Sequence, residues 1–361
     1  MPVSGVSQTA DLVFERSDEL ASAGHEQVVF CRDKESGLRA IIAIHDTTLG
    51  PALGGTRMYP YRSEADALRD VLRLSQGMTF KSAAAGLDLG GGKAVIMGGQ
   101  ELKTRELLRA YGRFVATLGG RYYTAADVGT TAEDLDVIAE TAPYVVGTNV
   151  RGSGDSGGST AQGVFCAMGA AAEYAFGPDG LAGRTVAIEG VGKVGSRLAG
   201  LLTQAAVEAI VISDPDPDAV ARVTARHPEI RTAASVIGAD ADIYAPCALG
   251  GTLTHESVAG LRAAVVCGGA NNQLSETSVA KDLLSRDITW VPDYIANAGG
   301  VIQVGSELVN ATPEQVRAKV AGISGTVMEV LTRSQEAGLT TAAAADAVVT
   351  ERLHRARETA R

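Results

Sequence analysis

The stretch VAIEGVGKVGSRLAGLL limits the possible folds of this 361-residue chain more than any other. It places Gly190, Gly192 and Gly195 in a G-x-G-x-x-G pattern, with an apolar strand before it and a helical repeat after it. In that setting the first glycine permits a tight turn and the second lets a pyrophosphate approach the backbone. The third lets helix and strand pack closely. Lys193 and Val194 lie within the turn. The next apolar run, EAIVISD, ends in Asp214, where a carboxylate can accept hydrogen bonds from ribose hydroxyls and would repel a 2′-phosphate. No arginine is placed to receive such a phosphate, so NAD is favoured over NADP. Further short apolar runs, DIYAPC, AAVVCGG and ITWVPDY, alternate with polar or helical segments. That alternation predicts a parallel sheet covered on both faces.

The chain is long enough for two domains, and GTNVRGSGDSGGS (147–159) reads as the approach to a boundary. We expect an α/β protein with two domains. Residues 1–148 form an α/β substrate and oligomerisation domain, joined by a C-terminal helix at 338–361. Residues 149–337 form a Rossmann-type NAD-binding domain. Within the first part, QVVFCRDKESGLRAIIAIHDT reads as two strands about a turn at 33–37. Ser63 opens a helix, KAVIMG is a short strand, and Thr131 and Asp134 carry a capping pattern. PEQVRAKVAGISGTVMEVLTRSQEA reads as one long helix and TTAAAADAVVTERLHRARE as a second, the latter packing back on the first domain.

A net charge of −10 argues against nucleic acid or an anionic membrane as partner. No apolar run is long enough to span a bilayer, and the first residues lack the basic start and apolar core of a secretory signal. The four cysteines are far apart within apolar runs, and the five histidines are scattered without metal-ligand spacing. These features read as a soluble, cytoplasmic protein without a bound metal.

If the second half holds the nucleotide, the first should hold the substrate. The candidate groups are Lys81, Lys93 and Asp127, each beside small residues (AAAG, GGG, TAA) that let a ligand come close. Two ammonium groups sharing a cleft disfavour each other's charge, and burial adds to this. A lysine can thereby fall from ~10.4 toward ~7–8 and act as a base. The run GGGK is not a Walker loop, because Ala94 follows the lysine and a strand follows instead of a helix. Its glycines are expected to give the substrate and its water room near Lys93.

GPALGGTRM, GMTFKSAAAGLDLGGGKAVI, TAADVGT, GVGKVG, APCALGG, GANNQL and PDYIANAGGVI, in this order, resemble the glutamate/leucine/phenylalanine/valine dehydrogenase family. The resemblance implies reversible NAD-dependent oxidative deamination of an L-amino acid to a 2-oxo acid and ammonia, by a homo-oligomer. It assigns Lys81 to the substrate carboxylate, Lys93 to the base that activates water, and Asp127 to proton exchange with the substrate nitrogen. Gly54 and Gly55 would run along the substrate, and Asn297 would lie near both nicotinamide and substrate. Thr160 would reach the carboxamide, and Ala270 and Asn271 would lie near the nicotinamide ribose. Leu53, Met78, Ala125 and Val301 match the positions that line the side-chain pocket.

In the glutamate branch a lysine stands where this chain has Leu53, so an acidic side chain would be unpartnered here. The expected substrate is a branched-chain amino acid, valine ahead of leucine and isoleucine. Phenylalanine is the alternative, as is an NAD-binding regulatory protein without catalysis. The intact Lys81, Lys93 and Asp127 count against that last reading.

Overall fold

The computed structural model describes residues 24–150 and 152–359; the N-terminal stretch read above as lacking a secretory signal lies outside them. In the first domain β1 (Gln27–Asp33) and β2 (Leu38–Asp46) pair antiparallel about the expected turn. They continue into β3 (Ala52–Tyr59), β4 (Gly90–Met97) and β5 (Tyr122–Ala126) in the order β1-β2-β4-β3-β5. β3 lies parallel to both β4 and β5. Helix α1 (Glu64–Ala84) starts where the Ser63 hydroxyl accepts from the Asp66 amide, and packs on one face of the sheet. On the other face lie α2 (Arg105–Thr117), capped by Thr104, and α3 (Ala132–Ala139), which opens on a Thr131–Asp134 capping box.

One element is added here and one reading is corrected. The stretch 52–59, to which no element is assigned above, is a strand whose two glycines hide its periodicity. The glycines of GGGK belong to β4 itself, between β2 and β3. A Cβ on Gly91 would lie 2.1 Å from the Thr79 amide nitrogen, and one on Gly92 would lie 2.7 Å from the Tyr122 ring. The glycines therefore let α1 and Tyr122 close on the strand, and the room they leave is filled by protein rather than substrate.

The second domain is a parallel sheet in the order β11-β10-β9-β6-β7-β8. Its strands are β6 (Thr185–Glu189), β7 (Ala209–Ser213), β8 (Arg231–Thr232), β9 (Ile243–Pro246), β10 (Val265–Val266) and β11 (Thr289–Trp290). The order reverses between β6 and β9, so a crevice opens at their C-terminal ends, the usual site for a dinucleotide. β8 has two exposed polar residues and no apolar period to announce it.

The remaining helices, in chain order, are α4 (Gly157–Phe176), α5 (Gly195–Leu202), α6 (Pro217–Arg226), α7 (His255–Gly260), α8 (Val279–Ser285), α9 (Asp293–Ala296) and α10 (Gly299–Ser306). Then come α11 (Pro313–Ala321), α12 (Ile323–Ala337) and α13 (Thr341–Thr359). The single helix expected over 313–337 is broken at Gly322 into α11 and α12. α13 returns to the first domain as expected. Arg352 donates to the carbonyls of Ala83 and Leu87 and to Asp88, and Arg357 reaches Asp46 at 2.6 Å. One apolar core runs from Leu53, Leu87 and Leu89 through Val164 and Met168 to Ile188, Ile212 and Leu353, so the two sheets share buried contacts.

Candidate active site

Side chains alternate across a strand, so the odd-numbered residues of β3, β4 and β5 share the face that α1 covers. Leu53 pairs with Gly91 and Tyr123, and Thr56 pairs with Ala94 and Ala126. That register sets Lys93, Gly55 and Ala125 in one row, with Arg57 in the row beyond, next to Asp127 at the end of β5. Gly55 is the low point of this floor. A Cβ there would lie 2.5 Å from the Ala126 carbonyl oxygen and 2.9 Å from the Asp127 Cβ. A Cβ on Gly54, facing the opposite way, would strike the Gly92 carbonyl oxygen at 1.6 Å. The loop holding Asp127 is tied down by Thr130, whose hydroxyl accepts from the Asp127 amide at 2.9 Å and donates to the Thr56 carbonyl at 2.7 Å.

Lys93 is 6% exposed, and its Nζ meets Asp127 Oδ2 at 3.0 Å. Arg57 Nε meets the same oxygen at 3.0 Å. Burial acts to raise the Asp127 pKa, but the Lys93 ammonium and the Arg57 guanidinium outweigh it and hold the carboxyl below its usual value. Lys81 projects from α1 into the same cleft, its Nζ 3.4 Å from Asn271 Oδ1 of the other domain. Burial, helped by the charge of Lys93, lowers Lys81 to about 8 against the pull of Asp293 and Asp127. The lysine so lowered is thus the one assigned to the substrate carboxylate. Lys93 has a carboxylate in contact, whereas the nearest polar partner of Lys81 is an amide.

Across the cleft, the turn between β6 and α5 shows what each glycine does. Gly190 has φ +88° and lies against Ala248, and a Cβ on Gly195 would lie 1.9 Å from the Gly190 carbonyl oxygen. Gly192 is different: a Cβ there would meet nothing within 4 Å, at a backbone angle any residue adopts. No packing demand explains this glycine, which is what a pyrophosphate lying against the turn requires. Asp214 holds the turn through both oxygens, accepting from the Val191 amide at 2.7 Å and the Asp216 amide at 2.9 Å. Asn297 donates to Asn271 Oδ1 at 2.8 Å, while its own Oδ1 is buried without a partner, an acceptor that a ligand N–H or O–H would satisfy. These features fit a nicotinamide dinucleotide. Gly192→Ala is therefore expected to leave the thermal midpoint unchanged while weakening NADH binding about tenfold or more, read by fluorescence titration.

The cleft encloses about 710 Å³. Its lining brings together Leu53, Gly54, Gly55, Met78, Lys81, Lys93, Ala125 and Asp127 from the first domain with Thr160, Lys193, Val194, Asn271, Asn297 and Val301. Gly190, Gly192, Gly195 and Asp214 form the turn behind it. Ala270 departs from expectation: it is buried, its amide bonded to the Pro246 carbonyl, and the cleft wall is Gly269, Asn271 and Asn272. The sequence reading missed Arg57, Asp293 and Val304, all in the lining. Each lay within or just beyond a quoted motif. Arg57 follows Gly55 at the strand period of two, and Val304 follows Val301 by one helical step. Among the described residues no cluster of His, Cys, Asp or Glu could hold a metal, and no helix is long and apolar enough to cross a membrane. All four cysteines are free.

A substrate sheet facing a 321456-ordered nucleotide sheet across two lysines and an aspartate defines a two-domain nicotinamide-dependent dehydrogenase. Comparison with known proteins narrows this. A family model described as Glu/Leu/Phe/Val dehydrogenase, dimerisation domain, matches residues 25–144. Another, described as Glutamate/Leucine/Phenylalanine/Valine dehydrogenase, matches residues 217–361. A valine dehydrogenase of Streptomyces virginiae is 50% identical over 341 residues, covering 92% of this chain and 95% of the relative. A leucine dehydrogenase of Bacillus subtilis is 46% identical and covers 92% of each chain. Among solved structures, L-tryptophan dehydrogenase from Nostoc punctiforme is 39% identical, with a TM-score of 0.84 over 94% of this chain and 99% of that one. The chain belongs to the glutamate/leucine/phenylalanine/valine dehydrogenase family and is an amino acid dehydrogenase.

Proposed function

We propose that this protein catalyses the reversible NAD-dependent oxidative deamination of branched-chain L-amino acids, valine first. The observation that carries the reading is the apolar wall beside the charged trio. Leu53, Met78, Ala125, Val301 and Val304 line the cleft next to Lys81, Lys93 and Asp127. Leu53 is fully buried, with a methyl group 3.5 Å from where a Cβ on Gly305 would stand. An acidic side chain would find no cation among these five residues, whereas branched methyls gain by burial there.

Lys81 in its charged form holds the substrate carboxylate and fixes the Cα above the floor at Gly55. Gly192, Asn297 and Thr160 would hold NAD, which would supply the hydride acceptor for that carbon. Lys93 takes the proton from the water that adds to the substrate's imine carbon. Asp127, held ionised beside Lys93, exchanges protons with the departing nitrogen. Asp214, just past the end of β7, supports NAD over NADP, because its carboxylate would repel a 2′-phosphate. The boundaries 1–148 with 338–361, and 149–337, remain our division of the chain. A first domain matching a dimerisation model supports a homo-oligomer, and the reading carries with it a cytoplasmic setting.

The test is NADH formation with a panel of L-amino acids. Valine, leucine and isoleucine should exceed phenylalanine, tryptophan and glutamate in kcat/KM. Differences among the aliphatic three should stay near the ~1–3 kcal/mol that one methylene supplies in such a pocket. A preference for phenylalanine or tryptophan would overturn the branched-chain assignment.

A further inference from the structure

Asp127 is held by more than its partner lysine. Its Oδ2 takes both Lys93 Nζ and Arg57 Nε at 3.0 Å, and no described residue hydrogen-bonds to Oδ1. Arg57 is fixed in turn. Its Nη1 donates at 2.9 Å to Asp70 Oδ2, which also accepts from the Tyr61 hydroxyl at 2.6 Å. Asp70 Oδ1 accepts from Arg73 Nη2 at 3.0 Å, and the other terminal nitrogen of Arg73 reaches Asn272 Oδ1 across the cleft at 3.0 Å. The Asn272 amide donates to Asp293 Oδ2 at 2.7 Å.

The guanidinium is thus locked at two of its three nitrogens by two carboxylates, both about four-fifths shielded from solvent. A planar fork in that setting fixes orientation as well as charge, which an ammonium on a flexible stem does not. Both cations converge on Oδ2, and Asp127 lines the cleft, so Oδ1 is the oxygen left for a ligand.

The geometry points to Arg57, clamped by Asp70, as the positioning residue for the reaction: it fixes the Asp127 carboxylate so that Oδ1 faces the substrate nitrogen while Oδ2 keeps Lys93. This rests on the amino acid dehydrogenase reading above and assigns Arg57 no contact with the reacting atoms. Asp127 also feels Lys81 and Tyr122 at longer range. Arg57 adds to these the second cation in contact, and its charge helps to keep the carboxyl ionised.

The test compares wild type, Arg57→Gln, Arg57→Lys and Asp70→Asn in the L-valine assay across pH, with Arg69→Gln on the exposed side of α1 as a neutral control. Arg57→Gln should lower kcat about 100-fold with the NADH dissociation constant unchanged. The acidic limb of its kcat/KM profile should move up by about one pH unit, because Asp127 loses one of two contacting cations. Arg57→Lys keeps the charge and loses the fork, so its limb should stay in place with kcat recovered to within about tenfold of wild type. A merely structural arginine would lower the thermal midpoint and leave the limb where it is.

A folded Arg57→Gln with kcat within about twofold of wild type and an unmoved limb overturns the proposal. Should Arg57→Gln fail to fold, Arg57→Lys and Asp70→Asn decide: reduced kcat with intact NADH binding supports the role, and unchanged kcat in both overturns it. A wild type that turns over no amino acid brings down the functional reading and this role with it. A wild type that turns over valine beside an unaffected Arg57→Gln brings down only this role.

Discussion

Lys93→Ala is expected to remove about 10²- to 10⁴-fold of kcat while NADH binds as before. The lysine lies in β4 between two paired strands with 7% of its side chain exposed. Deleting it takes away the base that receives the proton of the attacking water. The fold should survive, because Asp127 keeps its 3.0 Å contact with Arg57 Nε and is not left as an unpaired buried charge. The glycine turn at 190–195 belongs to the other sheet, so NADH titration should be unaffected. The measurements are kcat at saturating valine and NAD, fluorescence titration with NADH, and a thermal melt. A variant retaining more than a tenth of wild-type kcat would show that Lys93 is not the base. Partial recovery on adding a small primary amine to the buffer would identify the missing group as the amine itself.

The nucleotide half was the more legible because each of its glycines answers a separate local demand within one short segment. Gly190 takes a positive φ, Gly195 allows strand and helix to touch, and Gly192 borders space that no protein atom fills. Such demands are written in sequence order. Those of the substrate half are not. GGGK looks the same whether it lies in a loop or a central strand, and only the approach of Thr79 and Tyr122 reveals why side chains are absent there. β3 was missed for a related reason: Gly54 and Gly55 interrupt the apolar alternation of a strand that is nonetheless buried along most of its length.

Arg57 shows a further limit. Its neighbours in the chain say nothing of Asp70 or Asp127, which a helix and a parallel strand bring to it. The lysines were legible as a pair, yet it is burial that lowers Lys81, and the contact of Lys93 with Asp127 depends on a register that local patterns do not contain.

That lowering of Lys81 makes a prediction of its own. A 2-oxo acid carries a carboxylate but no amine, so its affinity reports the lysine without the titration of a substrate amino group. With Lys81 at about 8 in the free cleft, the charged form predominates below that pH and is lost above it. A bound carboxylate favours the charged form, so binding above pH 8 must take up a proton. The dissociation constant of the valine-derived 2-oxo acid in the presence of NADH should therefore be flat below about pH 8. Above it the constant should rise, approaching tenfold per pH unit, until the lysine in the complex itself titrates. Lys81→Ala removes the charge at every pH. Truncating one partner of a desolvated charged pair costs about 2–5 kcal/mol, so kcat/KM for valine should fall roughly 30- to 4,000-fold. The rise of the 2-oxo acid dissociation constant above pH 8 should disappear with it. If the wild-type constant were flat from pH 7 to 10, or if its rise persisted in Lys81→Ala, the carboxylate would be held by another group. Lys93 is already joined to Asp127 and Arg57 to two carboxylates, which leaves Lys81 as the lysine on the first domain's side of this cleft with no carboxylate in contact.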